Sequence, residues 1–260
     1  MTVREFIPRE HGAWAMWIVP MLSAAIVSRF SLNFFLLFVC FTLLYIVHHP
    51  VVSTVKRKSF LKGDNTRSIV AFALPAILLG IVLVVFAGRV WLLLFGAAEI
   101  AIFVFSIRAF LEKEQRSFVN ELTVVASLTL SAPAAYYTIT GLIDAKAVVL
   151  YALNFLFFGS SVFYIKMRIE FLRAKGIWKD GARKGRFMML VYHLLLIVIV
   201  LLAGICGVVS MWASLGFVPM LAQVAAGTFS KETRVNFTRL GIALIFQSAI
   251  FLGVVGLFLR

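Results

Sequence analysis

"FMMLVYHLLLIVIVLLAGICGV", Phe187–Val208, runs for 22 residues with no Asp, Glu, Lys or Arg and one histidine, His193. Wound as a helix, a stretch of that length rises about 33 Å, enough to cross a hydrocarbon core of about 30 Å. It is too long and too continuously apolar for a barrel strand, which alternates polar and apolar positions over about ten residues. Backbone in hydrocarbon must bond to itself, so a helix is the remaining form. Similar stretches recur along the whole chain. They predict nine helices near 12–28, 33–52, 68–88, 90–108, 121–140, 147–165, 187–208, 210–227 and 239–259. The expected fold class is all-α, a polytopic membrane helix bundle.

Composition agrees. Of 260 residues, 62% are hydrophobic and 14% charged, and the mean hydropathy is +1.02. Spans and connectors use nearly the whole chain, so residues 1–260 read as one integral membrane domain with no linker or low-complexity segment. The first apolar run is long and has no small-residue cleavage site, so no cleaved leader is expected. Cys40 and Cys206 both fall in apolar runs and read as small buried hydrophobes.

The net charge of +14 has a topological explanation. Of the 25 Lys and Arg residues, only Arg29, Arg89, Lys146 and Arg260 fall on one face of the nine-span alternation; the other 21 fall on the opposite face. That asymmetry fits the positive-inside rule, with the N-terminus cytoplasmic and the C-terminus outside. Acidic residues interspersed in the basic loops, Glu170 and Asp180 among them, speak against a nucleic-acid partner.

Several polar residues are candidates for more than topology. "PREHGAWAMWIVP" (8–20) opens the first span with Arg9, Glu10 and His11. Charge and aromatics suffice for an interfacial anchor; an acid, a base and an imidazole together also suit the rim of a site. Glu99 lies near the middle of the fourth span, where a carboxylate is costly and is a functional candidate by default. Its alternative is a hydrogen bond to a neighbouring helix. Arg116, Asn120 and Glu121 open the fifth span and share a face if that helix starts early. Pro133 interrupts the span, with Tyr136 and Tyr137 following near the outer interface. Asn154, Gln223 and Gln247 sit inside spans, where amides usually join helices. Lys166, Arg168 and Arg173 follow the sixth span, and with Lys56 and Arg57 they could make a basic mouth for a phosphate headgroup. His48 and His49 diverge by about 100° on a helix and lack a third partner, so no metal site is expected. His193 reads as a packing residue. P-loop, dinucleotide and nucleophile-elbow patterns are absent.

Three stretches carry a resemblance: "PREHGAWAMWIVP" (8–20), "NELTVVASLTLSAPAAYY" (120–137) and "LNFLFFGSSVFYIKMRIE" (153–170). Together they resemble the YwiC-like family of bacterial membrane proteins. The resemblance implies a multi-pass protein of the bacterial cytoplasmic (inner) membrane. Some family members are associated with anaerobic nitrate-respiration gene clusters, which points to respiratory membranes. It transfers no catalytic residues.

A more distant resemblance is to the UbiA superfamily of intramembrane prenyltransferases. Those enzymes have nine helices, a cytoplasmic N-terminus and active loops after spans two and six, which are the most basic loops here. "RSFVNELTVVASLTLSAPAAYYTITG" (116–141) resembles their fifth span. Their two aspartate-rich motifs hold Mg²⁺ and a prenyl diphosphate. Here the first loop offers only Asp64 and the second only Glu170 and Asp180. The spacing N-x-x-x-D-x-x-x-D is missing from both. The resemblance therefore implies the architecture and not the metal chemistry: no cofactor is expected, and Mg²⁺ stays open with its motifs absent.

Three functions follow as expectations. In the first, the chain binds or acts on an isoprenoid or lipid phosphate, with membrane lipid or quinone as partner; catalysis is left open. Glu99, Asn154, Tyr136 and Tyr164 would line the cavity. Arg9, Glu10, His11, Lys56, Arg57, Arg116, Asn120, Glu121, Lys166 and Arg168 would form its mouth. In the second, the chain is a transporter with Glu99 as its ion site. In the third, it is a non-catalytic partner of a respiratory complex.

Overall fold

The computed structural model describes residues 11–57, 63–112, 114, 117–229 and 236–259. Among these residues there is no strand. In chain order the helices are α1 (His11–Ser28), α2 (Leu32–Arg57), α3 (Gly63–Ile81), α4 (Leu92–Leu111), α5 (Phe118–Thr129), α6 (Ser131–Thr140), α7 (Ala145–Arg173), α8 (Asp180–Ile205), α9 (Val218–Phe229) and α10 (Phe237–Phe258). A π-helical turn at Val82–Phe86 prolongs α3, and a 3-10 segment at Met211–Phe217 leads into α9. Eight segments are long and apolar enough to cross a membrane, and α1 contributes a shorter apolar helix, Ala13–Ser28. The protein is an all-α polytopic membrane bundle.

Prolines and small residues set several details. α5 and α6 are two halves of one span, 118–140, that breaks at Leu130. Pro133 falls in the first turn of α6, where a missing N–H costs nothing. The break thus comes three residues before the proline and not at it. Pro20 lies within α1 and cannot donate back to the preceding turn. In that turn the Trp17 carbonyl accepts from Ser131 Oγ at 3.1 Å, tying α1 to α6. Pro219 likewise opens α9, after seven residues wound as the tighter 3-10 form.

The sixth span is longer than its apolar run. α7 has 29 residues, about 43 Å, and so projects well beyond a hydrocarbon core of about 30 Å. Lys166, Arg168, Glu170 and Arg173 therefore ride on its last two turns and not on a loop. Charge ends the apolar stretch without ending the helix. The end comes where Lys175 and Gly176 turn left-handed, with φ of 54° and 79°.

α1 runs through the centre of the bundle, packed against α5, α6, α7 and α10. Its Trp17, Met21, Ala24 and Ala25 are fully buried. Small residues bring helices close: a Cβ on Gly256 of α10 would stand 2.5 Å from Ile26 Cγ2. At the periphery, α3, α4 and α8 present Leu74, Ile77, Leu93, Ile100, Leu194 and Leu202 outward. In water such a surface would aggregate; facing lipid tails it is the expected exterior. Cys40 is buried, but Cys206 is exposed at the C-terminal end of α8, where the helix has run out and neighbours no longer cover it.

Candidate functional site

Two cavities meet at α5. The larger, about 1440 Å³, is lined from α1, α2, α4, α5, α7, α9 and α10. It exceeds the roughly 300–1,000 Å³ of pockets for drug-sized ligands. Most of the wall is apolar, including Trp14, Phe103, Phe110, Val124, Phe157 and Leu244. Polar groups interrupt it: Asn120 and Glu121 from α5, Ser160, Ser161 and Tyr164 from α7, Gln223 from α9 and Gln247 from α10. The second cavity, about 1180 Å³, lies between α2, α3, α4 and the α5–α6 span, with Glu99 and Ser127 on its wall. The two share Ala13, His48, Phe103, Ser106, Val124 and Leu128 as lining.

The start of α5 is built locally. Ser117 caps the helix, its Oγ accepting from the Asn120 N–H at 3.2 Å. That places the Glu121 side chain in the first helical turn, where a carboxylate is favoured by the dipole. Its Oε1 lies 3.0 Å from Lys166 Nζ of α7. The helix starts at Phe118. Arg116 itself lies outside the described residues.

The other expected residues divide into groups. Arg9 and Glu10 lie outside the described residues, as do the side chains of His11, Lys56 and Arg57, so the basic mouth is described only on its α5–α7 side. Glu99 lines the second cavity, its Oε2 accepting a hydrogen bond from Ser127 Oγ across α4 and α5. Its Oε1 is buried with no hydrogen-bond partner among the described residues. Tyr164 lines the larger cavity and packs on Gly227 of α9, where any Cβ would collide with its ring.

Three residues expected at the cavity or its mouth lie elsewhere. Asn154 is fully buried between α1 and α7, donating to Ser23 Oγ at 3.0 Å and to Leu150 O at 2.8 Å. Tyr136 donates to Asp144 Oδ2 at 2.9 Å near the far end of the bundle. Arg168 is 3% exposed and reaches Gly227 O at 3.4 Å. It faces the carbonyl end of α9, a favourable place for a cation, and not an open mouth. One position along α7 separates the cavity face from these other faces, and periodicity in an all-apolar helix does not say which is which.

Of two polar pairs at the cavity wall, the sequence named the members of one as amides that join helices and missed the other. Gln247 Nε2 donates to Gln223 Oε1 on the cavity wall. Ser160 Oγ lies 2.6 Å from Nε2 of His193, which is buried. The available signals were weak: a Gly-Ser-Ser patch at 159–161, and one imidazole in the run 187–208. His48 lines both cavities and packs edge-on against Phe103, ring centroids 5.2 Å apart. Among the described residues, no three His, Cys, Asp or Glu side chains converge as metal ligands.

A bundle of apolar helices around a large, sparsely polar cavity defines the class: a multi-pass membrane protein with a cavity among its helices. Comparison with known proteins gives the family. The model for the YwiC-like proteins matches residues 7–136, from the motif before α1 into α6. Over 99% of both chains the sequence is 26% identical to "Uncharacterized protein YwiC" of Bacillus subtilis (strain 168). The chain belongs to the YwiC-like family. No solved structure matches it, and the resemblance to UbiA enzymes is not shown by the comparisons.

Proposed function

We propose that this protein binds a membrane lipid with an anionic headgroup, an isoprenoid phosphate or a related amphiphile, in the cavity beside α5. The observation that carries the reading is the Glu121–Lys166 pair at the rim of a largely apolar cavity of about 1440 Å³. A lipid needs both parts: apolar walls for its chain, and a cation it can recruit for its head. Lys166 stands on the charged extension of α7, where the helix leaves the hydrocarbon. The 21-to-4 distribution of Lys and Arg supports placing this end in the cytoplasm and the protein in a bacterial cytoplasmic membrane. Neutralisation by Lys and Arg replaces the aspartate-held Mg²⁺ of UbiA enzymes, whose motifs the chain lacks.

The test is binding of farnesyl diphosphate to the full chain in nanodiscs, with Mg²⁺ and with EDTA. Farnesol and phosphatidylglycerol are the controls. Selective binding that survives EDTA is expected. Lys166→Ala should weaken it about tenfold, equivalent to about 1.4 kcal/mol. Glu121→Gln should strengthen it, because it releases Lys166 from its carboxylate. The opposite signs matter: a merely structural pair would lose binding in both variants. Binding that requires Mg²⁺ would overturn the metal-free headgroup site, and absence of selective binding would overturn the reading altogether.

A second reading has its own observation. Glu99 sits on the wall of the second cavity, accepting a hydrogen bond from Ser127, as an ion-coupling carboxylate would. Proteoliposome flux abolished in Glu99→Gln, with lipid binding intact, would favour transport.

A further inference from the structure

Hydroxyls inside these helices mostly donate to a carbonyl three or four residues back, the usual local bond of helical Ser and Thr. Ser161 bonds Phe158 O, Thr228 bonds Val224 O and Ser248 bonds Leu244 O. Ser160 does not follow them. The carbonyl four residues before it, Leu156 O, accepts from Tyr192 Oη at 2.8 Å. Gly159 makes that reach available, since a Cβ there would stand 2.6 Å from Tyr192 Oη. Gly159 with Tyr192, and Ser160 with His193, thus interlock α7 and α8 in one register.

Denied its local acceptor, Ser160 Oγ lies 2.6 Å from His193 Nε2. His193 Nδ1 lies 2.7 Å from Met189 O. A carbonyl only accepts, so Nδ1 carries the ring proton of the neutral imidazole and Nε2 is left to accept from the Ser160 hydroxyl. Ser160 belongs to the wall of the larger cavity and is fully buried there, so a substrate reaches its Oγ only when a neighbouring wall side chain moves aside. A hydroxyl on a cavity wall, a base within hydrogen-bond reach and a third group orienting that base form the geometry of an activated nucleophile.

We propose that Ser160 and His193 are a nucleophile and general base acting on the carboxyl ester of an acyl lipid held in this cavity. The inference rests on the lipid-binding reading for the seat of the substrate, and it narrows the substrate class to an ester. Ser160 is six residues before Lys166 on α7, about 9 Å along the helix axis. A lipid whose anionic head reaches Lys166 would place its ester linkage deeper, at the level of Ser160.

Ser160 Oγ attacks the ester carbonyl carbon as its proton passes to His193 Nε2. The tetrahedral oxyanion collapses, the bond to the alcohol oxygen breaks, and that oxygen takes the proton from Nε2. Water then attacks the acyl-serine, its proton passing to Nε2 and on to the departing Ser160 Oγ. Ester and water become carboxylic acid and alcohol, with no oxidant or reductant involved. Gln223, its amide oxygen accepting from Gln247 on the same wall, keeps its Nε2 as a donor for the oxyanion.

The experiment uses the full chain in nanodiscs and a hexadecyl fluorophosphonate probe, read by intact mass and peptide mapping. One adduct is expected, on Ser160, and none in Ser160→Ala. His193→Gln should slow labelling about 100-fold, the scale of general-base assistance. Tyr192→Phe frees Leu156 O for Ser160 and should slow labelling to a smaller extent, which identifies Tyr192 as a positioning residue. Farnesyl diphosphate binding, measured on the same samples, reports folding and the lipid site separately. No adduct, an adduct on another serine, or unchanged labelling in His193→Gln would overturn the dyad even where lipid binding persists. If a His193 variant does not fold, the site of the wild-type adduct and the Tyr192→Phe rate still decide. Labelling without diphosphate binding would count against the anionic headgroup and leave the dyad standing.

Discussion

The two ends of the bundle handle polar residues differently. At the end holding Arg89 and Asp144, polar groups satisfy the backbone or one another. Arg89 Nε donates to Thr138 O at 2.9 Å. Tyr137 Oη accepts from the Trp91 N–H at 3.3 Å, and Asp144 both caps α7 and accepts from Tyr136. Gly141 turns left-handed at φ 78° to end α6, and a Cβ there would press on the Arg89 guanidinium at 2.8 Å. At the opposite end and towards the middle, Glu121, Tyr164, Ser160 and Gln223 stand on a cavity wall. Residue types overlap between the ends; what differs is whether a polar group faces packed protein or open volume. Function is therefore sought at the second end, and the first is read as structural closure.

The strongest way to break that contrast is to close the cavity. Gly227 of α9 lies against Tyr164, which itself lines the wall. Gly227→Val adds three carbons where none fit, so Tyr164 must swing away or α7 and α9 must separate. Overpacking of this kind costs about 1–3 kcal/mol. Thermal unfolding in detergent should show the loss, and farnesyl diphosphate binding should fall with it. A variant with lowered stability and full binding would mean that Tyr164 is no part of the binding wall.

The architecture was legible because hydrocarbon imposes it. Length and continuous apolarity mark each span. Helix ends were less legible. α7 continues past Lys166 to Arg173 and α2 past Val52 to Arg57, because a charge ends an apolar run without ending a helix. The site was legible only in part. Glu99 and Glu121 stand out as carboxylates in or beside apolar segments, and both line a cavity. Asn154 and Ser160 look alike in sequence, polar residues on α7 within two turns, yet one joins α1 and the other faces the cavity beside His193. In a helix whose span is apolar on every side, no amphipathic stripe reveals which direction is open.

The next contrast, smaller in effect, is at the structural end. Arg89→Gln removes the Nε bond to Thr138 O and the guanidinium lying 5.9 Å from the Tyr137 ring centroid. One hydrogen bond from a half-buried cation is at stake, a stability loss of about 1 kcal/mol. Unfolding midpoints should drop modestly, while diphosphate binding and probe labelling keep their wild-type values. Loss of binding in Arg89→Gln would erase the distinction between the two ends.

The smallest effect is expected at Asn154, and it is the sharpest comparison because Ser160 is so near. Asn154→Leu keeps most of the side-chain volume. It gives up the bond to Ser23, and interhelical bonds of this kind average about 0.6 kcal/mol in membranes. It also removes Asn154 Oδ1, which is buried without a hydrogen-bond partner among the described residues, so part of that loss is returned. The unfolding midpoint should move by less than about 1 kcal/mol, and both binding and labelling should be unchanged. Ser160→Ala, less than two turns away on the same helix, should abolish labelling with as little effect on stability. If instead Asn154→Leu abolishes binding, the lipid reaches the α1–α7 seam, and the cavity beside α5 is not where it is held.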